Sequence, residues 1–323
     1  MIRWGVVGPG AIATGFADAM AQTDGGTIGA VASRSAERAA AFGDRFAIPT
    51  RYSDYEALAA DPDVDVVYVA TPQSRHEPDT LTMLEAGKHV LCEKPFALNA
   101  PQGTRMVAEA RARGLFLMEA MWSRYLPAYR SLVAVIAGGR IGEPLIVEAD
   151  FGFRRPLEPD HRLFDLALGG GALLDLGIYP LQLCSLVLGS PEHMVAEGVV
   201  GATGVDEVNA AVLRYAGERL GVVKSAIRVG MSCTARISGT EGWIDLPAFM
   251  HCPNSLTVTT SAGSEHMDGS YEGNGLRFEI EEVHRCLSEG VVESPIMPLD
   301  ETLDLAATLD AIRAQLGVVY PGE

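Results

Sequence analysis

The 323-residue chain is 48% hydrophobic and carries 25 Lys and Arg against 42 Asp and Glu, a formal charge of −17. That apolar share excludes a disordered or fibrous chain, and at roughly 150 residues per domain the length predicts two domains. So acidic a surface repels phosphate backbones and anionic lipid at long range, so neither nucleic acid nor a membrane surface is an expected partner, although a local basic pocket can still hold one anionic ligand.

Five cysteines with no Cys-x-x-Cys pair fit buried thiols in a reducing compartment, and a cytoplasmic location is expected. In the apolar first twenty residues, Gly5, Gly8, Pro9, Gly10 and Gly15 break any helix and Arg3 is the sole positive charge, which argues against a cleaved leader. Ile2–Val7 then reads as a strand, Ala11–Gln22 as a helix, Thr27–Ala32 as a strand, and Ala36–Phe46 and Asp54–Ala60 as helices. Val64–Ala70 is a continuous apolar strand, Ser74–Ala86 a helix, Lys88–Cys92 a strand, Pro101–Arg113 a helix and Phe116–Met118 a strand. Strands apolar on both faces and separated by helices predict a parallel, doubly wound sheet over residues 1–121.

The texture then changes. Tyr125–Ala137 reads as a helix, Leu145–Phe153 as a strand, and Leu166–Gly189 as a long apolar helix that is buried rather than membrane-spanning, because it carries Asp175 and Gln182. Strands follow at Met194–Val200, Asn209–Tyr215, Leu220–Ile227, Thr234–Ser238, Gly242–Leu246 and Leu256–Thr260, and helices at Glu279–Ser288 and Leu299–Gln315. Consecutive strands joined by short glycine turns predict an α+β second domain over 122–323 with an open-faced, largely antiparallel sheet.

Gly8-Pro9-Gly10-Ala11-Ile12 leaves the first strand and opens the first helix, where a dinucleotide pyrophosphate needs glycines for close approach and a helix N-terminus for its charge. An NAD site places an acid after the second strand, about 20 residues on. Here Ser33, Arg34 and, four residues later, Arg38 stand instead, a hydroxyl and two guanidiniums suited to the 2′-phosphate of NADP. If the helix begins at Ser35, the two arginines share a face. Thr71, Pro72 and His76 follow one strand and Glu93-Lys94-Pro95 the next, at the carboxyl ends where open α/β sheets bind ligands. Asp175 and Tyr179 are spaced i, i+4 on the long apolar helix, so they share a face and need polar partners. Tyr is a weak base at its usual pKa of about 10, but a neighbouring Lys favours the phenolate, and Lys94 is the candidate neighbour. His251-Cys252 and His284-x-Cys286 lack a four-ligand spacing, so no metal is expected, and no acyl-hydrolase elbow is present.

The glycine loop, Ala70-Thr71-Pro72 with His76, and Glu93-Lys94-Pro95 together resemble the Gfo/Idh/MocA oxidoreductase family over nearly the whole chain. The resemblance implies an N-terminal Rossmann domain, a C-terminal open-faced sheet and an active-site Lys94. Asp175-Leu176-Gly177-Ile178-Tyr179 matches the family's Asp-x-Gly-x-His with Tyr in place of His, and Gln73 stands where many relatives have Asn. With Met118–Arg124 and Leu168–Ala172, this points to the dihydrodiol dehydrogenase and D-xylose dehydrogenase branch. That branch implies NADP, a sugar or cyclic diol substrate, and a homodimer through the second domain's sheet. Lys94 and Tyr179 are then expected to carry proton transfer and Asp175 to orient substrate or Lys94, with Trp122 and Arg124 lining the cleft between the domains. The rival expectation is a non-catalytic NADP-sensing regulator of the same fold.

Overall fold

The computed structural model describes residues 1–323, and the chain divides into two compact units. The first comprises Met1–Tyr125 and Glu272–Leu303, the second Leu126–Tyr271 and Asp304–Glu323. Residues 272–303, read from the sequence as part of the second domain, thus group with the first unit: their helix packs on the first helix of the chain.

In the first unit, β1 (Ile2–Val7), α1 (Ala11–Met20), β2 (Gly26–Ala32), α2 (Ala36–Phe46), β3 (Thr50–Tyr52), α3 (Tyr55–Ala59), β4 (Val66–Val69), α4 (His76–Glu85), β5 (His89–Glu93), α5 (Ala100–Arg113) and β6 (Leu117–Ala120) alternate. Three of the helices, α2, α3 and α5, begin where a side chain accepts an otherwise orphaned N–H, as Asp54 does from Ala57 at 2.7 Å and Asn99 from Gln102 at 2.9 Å. The six strands lie in the order β3-β2-β1-β4-β5-β6, all parallel. β4 and β6 are buried along their whole length, as strands covered on both faces must be. β3 escaped the sequence reading because three residues carry no periodicity. Register sets the functional edge. Val7 pairs with Ala32 and with Val69, and Val69 with Cys92, so Gly8, Ser33, Ala70 and Glu93 leave the sheet side by side.

The second unit holds α6 (Pro127–Ala137), β7 (Pro144–Gly152), α7 (Ile178–Leu188), β8 (His193–Val200), β9 (Asp206–Tyr215), β10 (Arg219–Ala226), β11 (Ala235–Gly239), β12 (Gly242–Leu246), β13 (Ser255–Thr260) and β14 (Gly263–Asp268). α8 (Arg277–Glu289) belongs to the first unit, and α9 (Leu299–Leu316) is divided between the two. The eight strands run β14-β13-β12-β11-β7-β10-β9-β8, antiparallel except for β7 beside β10. β14 was not read from the sequence, since its Glu265, His266 and Asp268 make an edge strand that is polar on both faces.

One sheet face carries Val147 and Ala149 of β7, Ala211 and Leu213 of β9 and Val223 of β10, all buried, with α7 packed on β7 and β10. The other face leaves Val195, Val199, Val212, Ile146 and Trp243 exposed. On it lies a depression of about 650 Å³ lined by Glu148, Asp150, Lys224, Arg236, Asp245 and His266 among others. The stretch Leu166–Leu188 is long and apolar enough to cross a membrane, and 83% of its most apolar window is buried within the protein. It is not one regular α-helix. Leu173–Gly177 forms a π turn in which the Ile178 N–H reaches the Leu173 carbonyl, and Pro180 has no N–H to return to Leu176, so the α ladder is interrupted there.

Candidate active site

In the first unit the glycine loop is shaped for an anion. Gly8 has φ +83°, and a Cβ there would lie 2.8 Å from the Ala70 carbonyl oxygen, so only glycine lets the exits of β1 and β4 close together. The Gly10 N–H donates to the Gly8 carbonyl at 2.8 Å and turns the chain into α1, which no side chain caps. The first-turn N–H groups at Ala11 and Ile12 are therefore presented outward, where a pyrophosphate would meet them. Ile12 is exposed beside them.

After β2, Ser33 is buried. Its N–H donates to the Tyr52 carbonyl and its hydroxyl accepts from the Ser35 N–H. Arg34 and Arg38 are exposed. Ser35 proves to be the N-cap of α2, accepting from the Arg38 N–H at 3.3 Å, so Arg34 precedes the helix and the two arginines are not partners on one helical face. Both still follow the buried Ser33, Arg34 directly and Arg38 in the first turn of α2.

The loop that carries Lys94 is held at successive backbone groups. Glu93 accepts the Lys94 N–H at 3.1 Å and the Tyr68 hydroxyl. His76 places Nδ1 2.8 Å from the Pro95 carbonyl and Nε2 2.9 Å from the Thr71 carbonyl. Burial pushes this imidazole down to about 4. A neutral ring has one N–H to give, so His76 donates to one of these carbonyls and is packed between the two strand exits rather than offered to a substrate. Glu119 accepts the Phe96 N–H at 3.0 Å, and the Cys92 thiol lies 3.6 Å from the Phe96 carbonyl. Lys94 is half-buried and is joined to Pro95 by a cis peptide bond.

Three of the buried carboxyl groups in this unit, those of Glu93, Glu119 and Glu279, act on one another, and their order along the chain hides the grouping. Burial pushes Glu119 up to about 7, and it raises Glu279 of α8, which also faces Glu93, well above the carboxylate range. Neither Glu119 nor Glu279 is singled out by the sequence as a buried acid: no spacing rule marks the one carboxyl within Met118–Arg124, or the one of Glu279, Glu281 and Glu282, that is fully buried. Trp122 is half-buried. Arg124, expected in a substrate cleft, has its side chain only 1% exposed and its guanidinium on Glu301 at 2.6 Å, with the Ile296 carbonyl at 3.5 Å. Its charge is spent on an internal ion pair.

The second unit supplies the other candidates. Asp175 in the π turn and Tyr179 in the first turn of α7 are each 6% exposed. Arg162 bridges Asp175 with two hydrogen bonds, 3.0 and 3.3 Å, so the carboxylate has a charged partner that no spacing rule placed beside it. Gly170 makes this approach possible: a Cβ there would lie 2.8 Å from the Arg162 carbonyl and 2.7 Å from that of Leu163. The Tyr179 ring lies edge-on to Phe151, centroids 5.6 Å apart, and 5.0 Å from His251, which stacks on Phe151 at 4.3 Å. His251, discounted as a metal ligand, is thus a neighbour of the candidate acid–base group. Nearly a third of the chain separates Phe151 from His251, and the sheet brings them together with Tyr179.

Residues 2–121 match the family model described as oxidoreductase family, NAD-binding Rossmann fold, and residues 129–245 match the GFO/IDH/MocA C-terminal domain. Human trans-1,2-dihydrobenzene-1,2-diol dehydrogenase is 40% identical over 335 aligned positions, covering 99% of this chain and 98% of the relative. The Xenopus laevis enzyme of the same name is 37% identical with 99% of each covered. Among solved structures, the 3-ketoreductase KijD10 of Actinomadura kijaniata, in complex with NADP and TDP-benzene, has a TM-score of 0.86 at 28% identity over 98% of each chain. The aldose-aldose oxidoreductase of Caulobacter crescentus shares the fold, with a TM-score of 0.89 at 24% identity over 97% of each chain. With family models matched over 2–121 and 129–245 and relatives aligned along its length, the chain belongs to the Gfo/Idh/MocA oxidoreductase family.

Proposed function

We propose that this oxidoreductase is an NADP-dependent dehydrogenase or reductase acting on a CH–OH carbon of a sugar or a cyclic diol. The observation that carries the cofactor choice is the corner after β2, where buried Ser33 is followed by exposed Arg34 and Arg38 and no acid directly follows the strand. A carboxylate there would accept the ribose 2′-hydroxyl, whereas guanidiniums complement a 2′-phosphate. The solved relative with NADP bound, and the diol dehydrogenases among the relatives, support the same reading.

Gly8, Gly10, Ala11 and Ile12 would hold the pyrophosphate, with Thr71, Pro72, His76 and Glu93 shaping the neighbouring strand exits. When bound, the nicotinamide supplies a hydride acceptor or donor. Tyr179 moves the hydroxyl proton of the substrate, its ring fixed by Phe151 and His251. Asp175, held by Arg162, accepts a hydrogen bond from a substrate hydroxyl. The Lys94 ammonium stabilises negative charge on the reacting oxygen. Trp122 is retained as a substrate contact and Arg124 is not. The exposed valines of the open sheet face suit burial against a second copy of the chain, and we assign the homodimer to that face. The test is an initial-rate survey of aldoses and cyclic trans-diols with NADP and with NAD, followed by nicotinamide absorbance. Turnover with NADP and a tenfold or weaker response with NAD supports the reading (roughly the lower end of what charge-assisted bonds contribute). Absence of turnover with every polyol refutes it.

A further inference from the structure

We infer that Glu119 of β6 is a positioning residue for Lys94, acting through the backbone amide of Phe96; the inference rests on Lys94 having the role proposed above.

The chain leaving β5 is gripped from both faces of the sheet. In the parallel register Tyr68 pairs with Leu91 and Cys92 with Glu119, so Tyr68 and Glu93 share one face while Cys92 and Glu119 share the other. On the first face Glu93 takes the Lys94 N–H. On the second, Glu119 takes the Phe96 N–H two residues later, and the Cys92 thiol faces the Phe96 carbonyl. Lys94 therefore sits at the crest of an arch with a carboxyl group at each foot. Of the two feet, Glu93 is adjacent in sequence and moves with the arch. Glu119 stands on the next strand and is an external anchor.

Glu119 is almost fully buried and is itself fixed from behind. Its carboxyl faces Thr302 and Arg124, and Arg124 is locked by Glu301, so the anchor does not depend on solvent. The Phe96 ring is also buried, among Gly103, Met106 and Val107 of α5. The competing explanation is that this ring alone holds the arch and Glu119 merely fills space. The two differ in what the amide does. Without its acceptor a buried N–H must seek another partner, and the arch shifts. A displacement of about 1 Å at a charged group beside the reacting atom is enough to cost on the order of a hundredfold in rate.

The experiment compares Glu119→Gln, Glu119→Asp and Glu119→Ala in the full-length protein. Gln keeps an oxygen at the same reach, so kcat should stay within about threefold of the parent. Asp keeps a carboxyl group but falls one methylene short, and Ala removes the acceptor. Both should lower kcat by about tenfold to a hundredfold while the KM for the nicotinamide cofactor, held at the glycine loop, changes little. Hydrogen exchange over residues 93–98 should rise in Asp and Ala and remain at the parent level in Gln. If Ala does not fold, Asp decides. Full kcat and unchanged exchange in Asp would overturn the inference, as would a Gln variant as impaired as Ala. Should the parent turn over no substrate, the functional reading fails on its own, and the exchange comparison still decides whether Glu119 anchors the arch.

Discussion

Replacing Glu119 by Gln should make the protein more stable, and only above acid pH. Burial is the largest influence on this carboxyl and lifts it from 4.5 to about 7, against the Phe96 amide, Thr302 and Arg124, which all favour the charged form. The folded chain therefore holds a proton that the unfolded chain releases between those two values. Stability is fully present below pH 4.5 and is lost as the pH rises through 7. A shift of that size corresponds to about 3 kcal/mol. Gln does not titrate, so the stability of Glu119→Gln minus that of the parent should climb by about 3 kcal/mol between pH 4.5 and 7 and be level on either side. Every other titrating group cancels in that difference unless it touches the site. Urea unfolding at a series of pH values measures it, with Trp4 and Trp122 as fluorescent reporters of the first unit once Trp243, which lies in the second, is changed to Phe. Two curves that run parallel from pH 4 to pH 9 would show that the carboxyl titrates in the folded chain as it does in the unfolded one, and the assignment of a neutral buried acid would fall.

Tyr179→Phe keeps the ring against Phe151 and His251, so the melting temperature should hold while kcat falls by about 10²–10⁴; a kcat within about threefold, with stability lost instead, would make the hydroxyl structural. Arg34→Ala should weaken NADP by about tenfold to a hundredfold and leave NAD use nearly unchanged. Equal kcat/KM for the two cofactors in the parent would defeat the phosphate-pocket reading. Sedimentation at micromolar concentration should give a dimer, and Val212→Lys, which charges the centre of the open face, should dissociate it; a monomeric parent refutes the assignment of that face.

The places of the glycine loop and of Lys94 at the strand exits were legible because the pattern is local: a glycine turn after a strand, or a Lys between Glu and Pro at a strand end, is written in consecutive residues. The parallel sheet was legible for the same reason, since strands buried on both faces read as unbroken apolar runs. What surrounds these residues was not. Arg162 meets Asp175 across a loop folded back by Gly170, His251 meets Tyr179 across the width of the sheet, and Glu119 meets Phe96 from the neighbouring strand. Each pairing depends on register or loop path, which single-residue spacing does not encode. Arg124 illustrates the converse: its place in a motif suggested a ligand, and only the approach of Glu301 from the far end of the chain shows the charge to be internal.

The wide turn at Leu173–Gly177 makes the second unit's chemistry sensitive to chain length as well as to residue type. Asp175 lies inside that turn and Tyr179 just beyond it. Removing one residue between them would relax the turn toward α geometry and re-aim the carboxylate relative to the phenol. The apolar face of α7 and its seat on β7 and β10 would remain where they are. Such a variant would keep its core and its polar groups, yet aim the Asp175 carboxylate differently against the Tyr179 phenol. Under the function proposed above, a one-residue deletion here would change which substrate hydroxyl is met on an unchanged scaffold.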